Sequence, residues 1–427
     1  MNKEMKKIIL MTACLWSGAM LFSSCSDRLR IGLDIVDADT YVNIYMPQAN
    51  NDLNVKTVYI TDEIQSFAVS AFYGGPTEPQ TDISVEFEIR MDLVDSYNTF
   101  HGTDYKPMPE GSYSMSETTA RIAKGAQRTT PLYVDITSKD YLAVAEPYLL
   151  PVGIKSVSGT EPVLEELRTA YFLVTGSYMP GEVPREKVYS FGHPVTMPIF
   201  CSRDDLVRID EDGRLMLFQP EPDGTYGAPR QIGEGWGNMQ IMFYMPENRF
   251  IVRNEFSNLT QYMISDNYDF LSQGDIGWGW GESSKIVPFK DLAILAVNGD
   301  ALWKYPLSQT GAFDFGNCTA IEGSGWGGYT QLFGYGNNLI MVDPKGDMWV
   351  VSLTDDYALG TKRQIGTGWD MYDNVFACGD DLLALDSNGD LWRYEFDPVA
   401  FWPLKADEPA DEEGPESGDG EEESADE

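Results

Sequence analysis

A period of about 44 residues runs through the C-terminal half of this chain and constrains its fold more than any other feature. Residues 366–394 carry its clearest copy: a glycine-framed tryptophan, two short apolar runs, an Asn-Gly turn, and a closing strand with Trp392 and Tyr394. Anchored on the first tryptophan, copies fall at Trp236, Trp280, Trp326 and Trp369, spaced 44, 46 and 43 residues apart, each in a G-x-G-W frame. A disguised copy precedes them, Ser190-Phe191-Gly192-His193, which puts His193 at a tryptophan position. An apolar run follows in each unit, at 206–209, 250–252, 292–297, 339–342 and 382–385. Tight turns come next at Asp212-Gly213, Asn298-Gly299, Lys345-Gly346 and Asn388-Gly389, where glycine supplies the positive φ a hairpin needs. In the degenerate second unit Ser257-Asn258 replaces the glycine turn. Five units of three or four short strands predict a five-bladed β-propeller over residues 187–398. The repeat starts and stops at similar phases, as a closed ring requires; an open stack would leave sheet edges exposed.

The N-terminus reads as delivery. Residues 1–25 form a signal segment, with Lys3, Lys6 and Lys7 ahead of an apolar run at 8–22 that is too short for a stable membrane span. The run ends Leu21-Phe22-Ser23-Ser24-Cys25, which resembles a bacterial lipobox. That resemblance implies lipidation of Cys25, a tether over 26–34, and a protein held on the outer membrane, at the cell surface, without spanning it. An ordinary cleaved signal peptide is the alternative.

Residues 29–180 hold no tryptophan, whereas 230–395 hold eight, and this shift marks a domain boundary. Apolar and polar residues alternate over 55–60, 83–89, 132–136, 148–154 and 170–174, separated by turn residues, which predicts an antiparallel sandwich over 35–175. One break, 92–100, predicts a short helix with Asp92 as N-cap and Leu93, Tyr97 and Phe100 on one face. The segments Met91-Asp92-Leu93-Val94-Asp95-Ser96-Tyr97-Asn98, Gly102-Thr103-Asp104-Tyr105, Pro109-Glu110-Gly111-Ser112-Tyr113, Ile122-Ala123-Lys124-Gly125 and Tyr148-Leu149-Leu150-Pro151-Val152 together resemble an adhesin-like N-terminal domain. That domain occurs in surface lipoproteins of polysaccharide-utilisation systems, some of which carry family 18 glycoside hydrolase modules. The resemblance implies an immunoglobulin-like spacer with no catalytic residues. The expected fold class is therefore all-β, an immunoglobulin-like β-sandwich followed by a five-bladed β-propeller, joined by a Pro/Gly-rich linker at 176–186. Residues 399–427 read as an acidic disordered tail, with no large apolar residue beyond Lys405.

The G-x-G-W frames, the N-G-D-L-W turn and the period resemble the tachylectin-type propeller lectins. The resemblance implies binding of N-acetylated hexosamines at sites repeated around the ring. A sugar site needs an aromatic face for the ring's C–H surface and planar polar groups for its hydroxyls. The candidate glycan-binding residues are Trp236 with Asn238, Trp280 with Glu282, Trp326 with Tyr329, and Trp369 with Asp370 and Tyr372. The same tryptophans also suit a wedge between blades, with glycines permitting close backbone approach. Because the residues after each tryptophan differ, five equivalent sites are not expected.

The formal charge of −37 excludes nucleic acid as a partner, since phosphate contacts need clustered Lys and Arg. With two histidines, His101 and His193, little material exists for a zinc site or a His-based triad. The Asp386-Ser-Asn388-Gly-Asp390 run starts like a calcium loop but lacks the later ligands, so no metal or cofactor is expected. Cys201, Cys318 and Cys378 fit three buried free cysteines, or a Cys201–Cys378 disulfide with one left over. The expected function is non-catalytic glycan capture beside transporter or glycosidase components. A glycosidase with axial carboxylates and an adhesin for protein partners are the alternatives.

Overall fold

The computed structural model describes residues 42–290, 292–308 and 311–405. The signal segment, Cys25 and the tether lie outside the described residues. The chain divides into two units, at Ser177 and Tyr178.

In the first unit, one sheet runs in the order Asn54–Tyr59, Thr169–Ser177, Pro147–Val157, Ile83–Ile89 and Thr119–Ile122, with Lys106–Pro107 beside Pro147–Val157. A second sheet joins Gln65–Val69, Leu132–Ile136 and Tyr113–Met115, and a two-stranded one pairs Asn43–Tyr45 with Phe72–Gly74. Alternation sets the faces. Val85, Phe87, Val134, Ile136, Phe172 and Val174 point into one core, and their neighbours are more exposed. The strand Pro147–Val157 breaks the pattern and is buried over seven consecutive residues, because a helix covers its other face. Val94 and Tyr97 of the helix Val94–His101 pack on Leu149. The expected helix is present with different details. Asp92 lies in a preceding 3-10 turn paired with Arg90 and caps nothing, while Phe100 is 85% exposed.

The second unit is a five-bladed propeller. Blade 1 comprises Ile199–Ser202, Asp205–Ile209, Leu215–Phe218 and Arg230–Gly233. Blade 2 comprises Ile241–Met245, Arg249–Arg253, Leu259–Ile264 and Phe270–Gly277. Ser283–Phe289, Ala293–Asn298, Ala301–Pro306 and Thr319–Ile321 make blade 3; Gln331–Tyr335, Asn338–Val342, Met348–Ser352 and Arg363–Thr367 make blade 4. Blade 5 takes Tyr372–Cys378, Asp381–Asp386 and Asp390–Glu395 from the end of the chain and its outer strand, Glu186–Ser190, from the start. The inner strands neighbour one another around the ring, the last against the first. Each second strand is buried almost throughout because blades cover both its faces, which is why its sequence is a continuous apolar run.

The seam is closed covalently as well as by pairing. Cys201 of the first inner strand and Cys378 of the last form a disulfide, leaving Cys318 free and half-buried. Two boundaries differ from expectation. Trp402-Pro403 adds a parallel fifth strand to blade 4, and Trp402 is 1% exposed, so residues 399–405 belong to the propeller; 406–427 lie outside the described residues. Residues 176 and 177 close a sandwich strand, and Glu186 opens a propeller strand, so both ends of the expected linker are in sheets.

Candidate functional site

Each G-x-G-W loop carries the chain from the outer strand of one blade to the inner strand of the next. Its second glycine, Gly235, Gly279, Gly325 or Gly368, has φ between +77° and +85°, a conformation that disfavours any side chain. The first glycine lets the indole lie on the backbone: a Cβ at Gly233, Gly277 or Gly366 would come within 2.6, 2.4 or 2.6 Å of the tryptophan Nε1. The tryptophan's backbone N–H donates to the turn of the preceding blade, at the carbonyls of Gly213, Ser257, Asp300 and Gly346 over 2.8–3.3 Å. At the seam, Phe191 N–H makes this bond to Gly389, and Phe191 packs on Phe218 as Trp236 packs on Tyr262. Phe191 therefore fills the aromatic slot assigned to His193, whose imidazole is exposed.

All four tryptophans are wedges. Trp236 packs among side chains of blades 1 and 2, Trp280 among those of blades 2 and 3, and Trp326 among those of blades 3 and 4. A second residue backs each ring: Phe270, Phe313, Leu359 and Trp402, always 33 or 34 residues after its tryptophan. This series has a period but no fixed residue type, so only the spacing could have revealed it.

The wedges differ in what their indole N–H meets. Trp369 is fully buried, and its Nε1 donates to the carbonyl of Trp402 at 3.1 Å. Nearby, Asp370 accepts from Lys405 Nζ at 2.8 and 3.0 Å, and the Tyr372 hydroxyl is 2.5 Å from both Arg185 and Tyr394. Trp369, Asp370 and Tyr372 are thus tied into ring closure, and Trp369 has no open edge for a ligand. Trp326 Nε1 is buried with no partner among the described residues, while Tyr329 accepts from Lys362 Nζ at 3.0 Å.

Trp236 and Trp280 line clefts. A cavity of about 410 Å³ has aromatic walls from Trp236, Tyr262 and Phe270, with Glu234, Ser272 and Gln273 as polar neighbours. A smaller one of about 250 Å³ is bounded by Trp278, Trp280, Glu282, Ser283, Asn298 and Tyr305. Glu282 therefore faces a cleft, whereas Asn238 is exposed and donates to Glu255 at 3.2 Å. Sequence reading passed over Trp278, which occupies the variable position of its G-x-G-W frame; an aromatic there, against Glu234, Ser324 and Thr367 elsewhere, was the available signal.

A third space, of about 460 Å³, is lined by the inner strands of all five blades; Asp373 is the one carboxylate among its lining residues, beside Asn374 and Gln240. Among the described residues no group of acidic, His and Cys side chains is arranged to hold a metal. The Asp386 turn is filled from within: Oδ1 accepts from the backbone of Asn388 and Asp390, and Oδ2 from Trp392 Nε1 at 3.1 Å.

Comparison with known proteins follows these two units. Residues 208–408 match the Tachylectin family model, which takes in Trp402, and residues 39–161 match a family model described as an N-terminal domain. The chain thus carries an N-terminal domain of that family followed by a tachylectin-type propeller. No curated protein matches. Among solved structures, a Bacteroides ovatus protein described as a putative carbohydrate-binding protein is 12% identical, with 82% of this chain and 95% of that one covered at a TM-score of 0.27. EndoBT-3987 of Bacteroides thetaiotamicron, solved with a Man5GlcNAc product, is 16% identical over 44% of this chain and 45% of its own, at a TM-score of 0.28. At such identities and TM-scores these likenesses carry no functional weight.

Proposed function

We propose that this protein captures glycans without cleaving them, at clefts between propeller blades, and that N-acetylhexosamine-containing chains are its ligands. The observation that carries the reading is the Trp236 cleft, an aromatic-walled hollow with polar neighbours and the indole of Trp236 in its wall. Trp369 indicates what such an indole N–H donates to: the amide carbonyl of Trp402. An acetamido group presents the same carbonyl. The tachylectin-type match supports a lectin role, and the lipobox-like Cys25 and adhesin-like first unit support a lipid-anchored protein of the outer cell surface, serving a transporter or glycosidases nearby.

Glycosidic cleavage by paired acids needs two carboxylates about 5–10 Å apart. Asp373 stands without a second acid in the lining of the central space, which favours capture. The test is a glycan array probed with the chain from residue 26 onward, with any hit incubated and assayed for released sugar. Binding without release is expected. No binding to any glycan would sink the proposal, and release would replace it with hydrolysis.

A further inference from the structure

We propose that Trp278 is the platform of an extended site across blades 2 and 3, which takes an internal stretch of a neutral glycan chain and not a single terminal sugar. This rests on the glycan-capture reading above. Trp278 is 72% exposed, while the other G-x-G-W loops carry small or acidic residues in its place. It has no wedge role to explain it: the wedge of this loop is Trp280.

The Trp278 side chain separates two hollows. On one side is the Trp280 cleft of about 250 Å³. On the other is a cleft of about 420 Å³ lined by Gln261, Ser272, Gln273, Asp275 and Phe313, which shares Ser272 and Gln273 with the Trp236 cleft. Each hollow holds a planar amide, Gln261 in one and Asn298 in the other, and the fold leaves that of Gln261 largely unused. Gln261 is 9% exposed, yet its Oε1 has no hydrogen-bond partner among the described residues, and its Nε2 has only the Met263 sulfur, at 3.4 Å. A buried carbonyl oxygen without a donor is unfavourable, so a ligand hydroxyl or N–H would relieve it.

Asn298 departs from the pattern of its own repeat position. In the other four blades the residue there, Asp210, Asn254, Asp343 or Asp386, caps its turn by accepting two backbone N–H bonds. Asn298 instead accepts from the Ser283 hydroxyl at 2.6 Å and donates to the Tyr305 hydroxyl at 3.3 Å, in the cleft wall. An aromatic platform with an amide on either side suits one sugar stacked on the indole and its neighbours lodged in the two hollows, about three units in all.

Charge selects the chain. Asp275 and Glu282 flank Trp278 on opposite sides, and neither forms an ion pair among the described residues. The Arg253 guanidinium is engaged with the carbonyls of Trp280 and Ser283 at 3.2 and 2.8 Å. Asp275 accepts from the Thr260 hydroxyl at 2.7 Å, and carboxylates without a cationic partner accept bonds from neutral hydroxyls and repel uronate or sialic acid.

The test compares the chain from residue 26 onward with its Trp278→Ala and Trp236→Ala variants. The array carries N-acetylglucosamine and its β-linked oligomers, other neutral oligosaccharides of one to six units, and sialylated and uronate chains. Affinity for a neutral chain is expected to rise about tenfold from one unit to three, and to fall about tenfold in Trp278→Ala with the melting temperature unchanged. Equal binding of one unit and longer chains, unchanged binding by Trp278→Ala, or a preference for acidic chains overturns the extended neutral site and leaves capture standing. A wild-type chain that binds nothing on the array overturns the capture reading, and this proposal with it.

Discussion

Replacing Cys201 and Cys378 with alanine removes the covalent link across the seam where the propeller ring closes. The bonded residues are 177 positions apart, so the cross-link constrains most of the second unit when it unfolds. Loop-closure entropy for a segment of that length corresponds to about 5 kcal/mol, on the chain-entropy account of disulfides. The strand Glu186–Ser190 still pairs with Asp390–Glu395 in the double variant, so the ring should close, but less stably. For a unit of this size, that loss lowers the melting temperature by roughly 10–20 °C. Tryptophan fluorescence reads the event cleanly, because every described tryptophan lies in the second unit. Reductant should move the wild-type curve onto that of the double variant and leave the variant itself unmoved. Cys318→Ala should change little, since that thiol is unpaired and half-buried. If the double variant melts within about 2 °C of the oxidised wild type, the pairing of Glu186–Ser190 alone closes the ring and the entropic reasoning fails.

Other consequences follow from the same seam and its neighbours. Trp402→Ala empties a buried site and removes the strand beside Gly366, so it should cost about 3–5 kcal/mol in urea denaturation; a surface-like loss under about 0.5 kcal/mol would show that residues 399–405 do not brace blade 4. Trp369→Ala should likewise destabilise the propeller by about 3–5 kcal/mol, whereas unaltered stability with lost glycan binding would restore it as a ligand contact. Alkaline pH should weaken the unit through Tyr268, whose phenol burial pushes up to about 12 and whose hydroxyl donates to Ser202 at 3.0 Å. Since the folded value is raised, that contribution is complete below about pH 10 and falls by about 1.4 kcal/mol per pH unit up to about pH 12. Urea midpoints across that range should slope less in Tyr268→Phe; identical slopes would remove Tyr268 from the account.

The fold was readable because a propeller repeats its constraints. Apolar second strands, turn glycines and G-x-G-W frames each recur, so one weak copy is corrected by the others. The misreadings arose where the chain leaves the repeat. At the seam the loop after Phe191 is longer than its counterparts, so counting residues selected His193 where hydrogen bonding selects Phe191. Trp402 stands beyond the last periodic strand and looked like part of the acidic tail, yet it lies 33 residues after Trp369, at the spacing of Phe313 from Trp280. In the first unit, the local preference for Asp as a helix cap gave way to its pairing with Arg90. Periodicity identifies shared structural parts such as the wedges. A binding cleft depends on differences between blades, such as Trp278 and Asn298, which a repeat pattern averages away.

Calorimetry of the chain from residue 26 onward, titrated with the strongest neutral glycan from the array, addresses capture and catalysis in one trace. Capture at the blade clefts is expected to give saturable heat that returns to baseline after each injection. A flat trace would contradict binding, and a sustained heat accompanied by released sugar would contradict capture without cleavage.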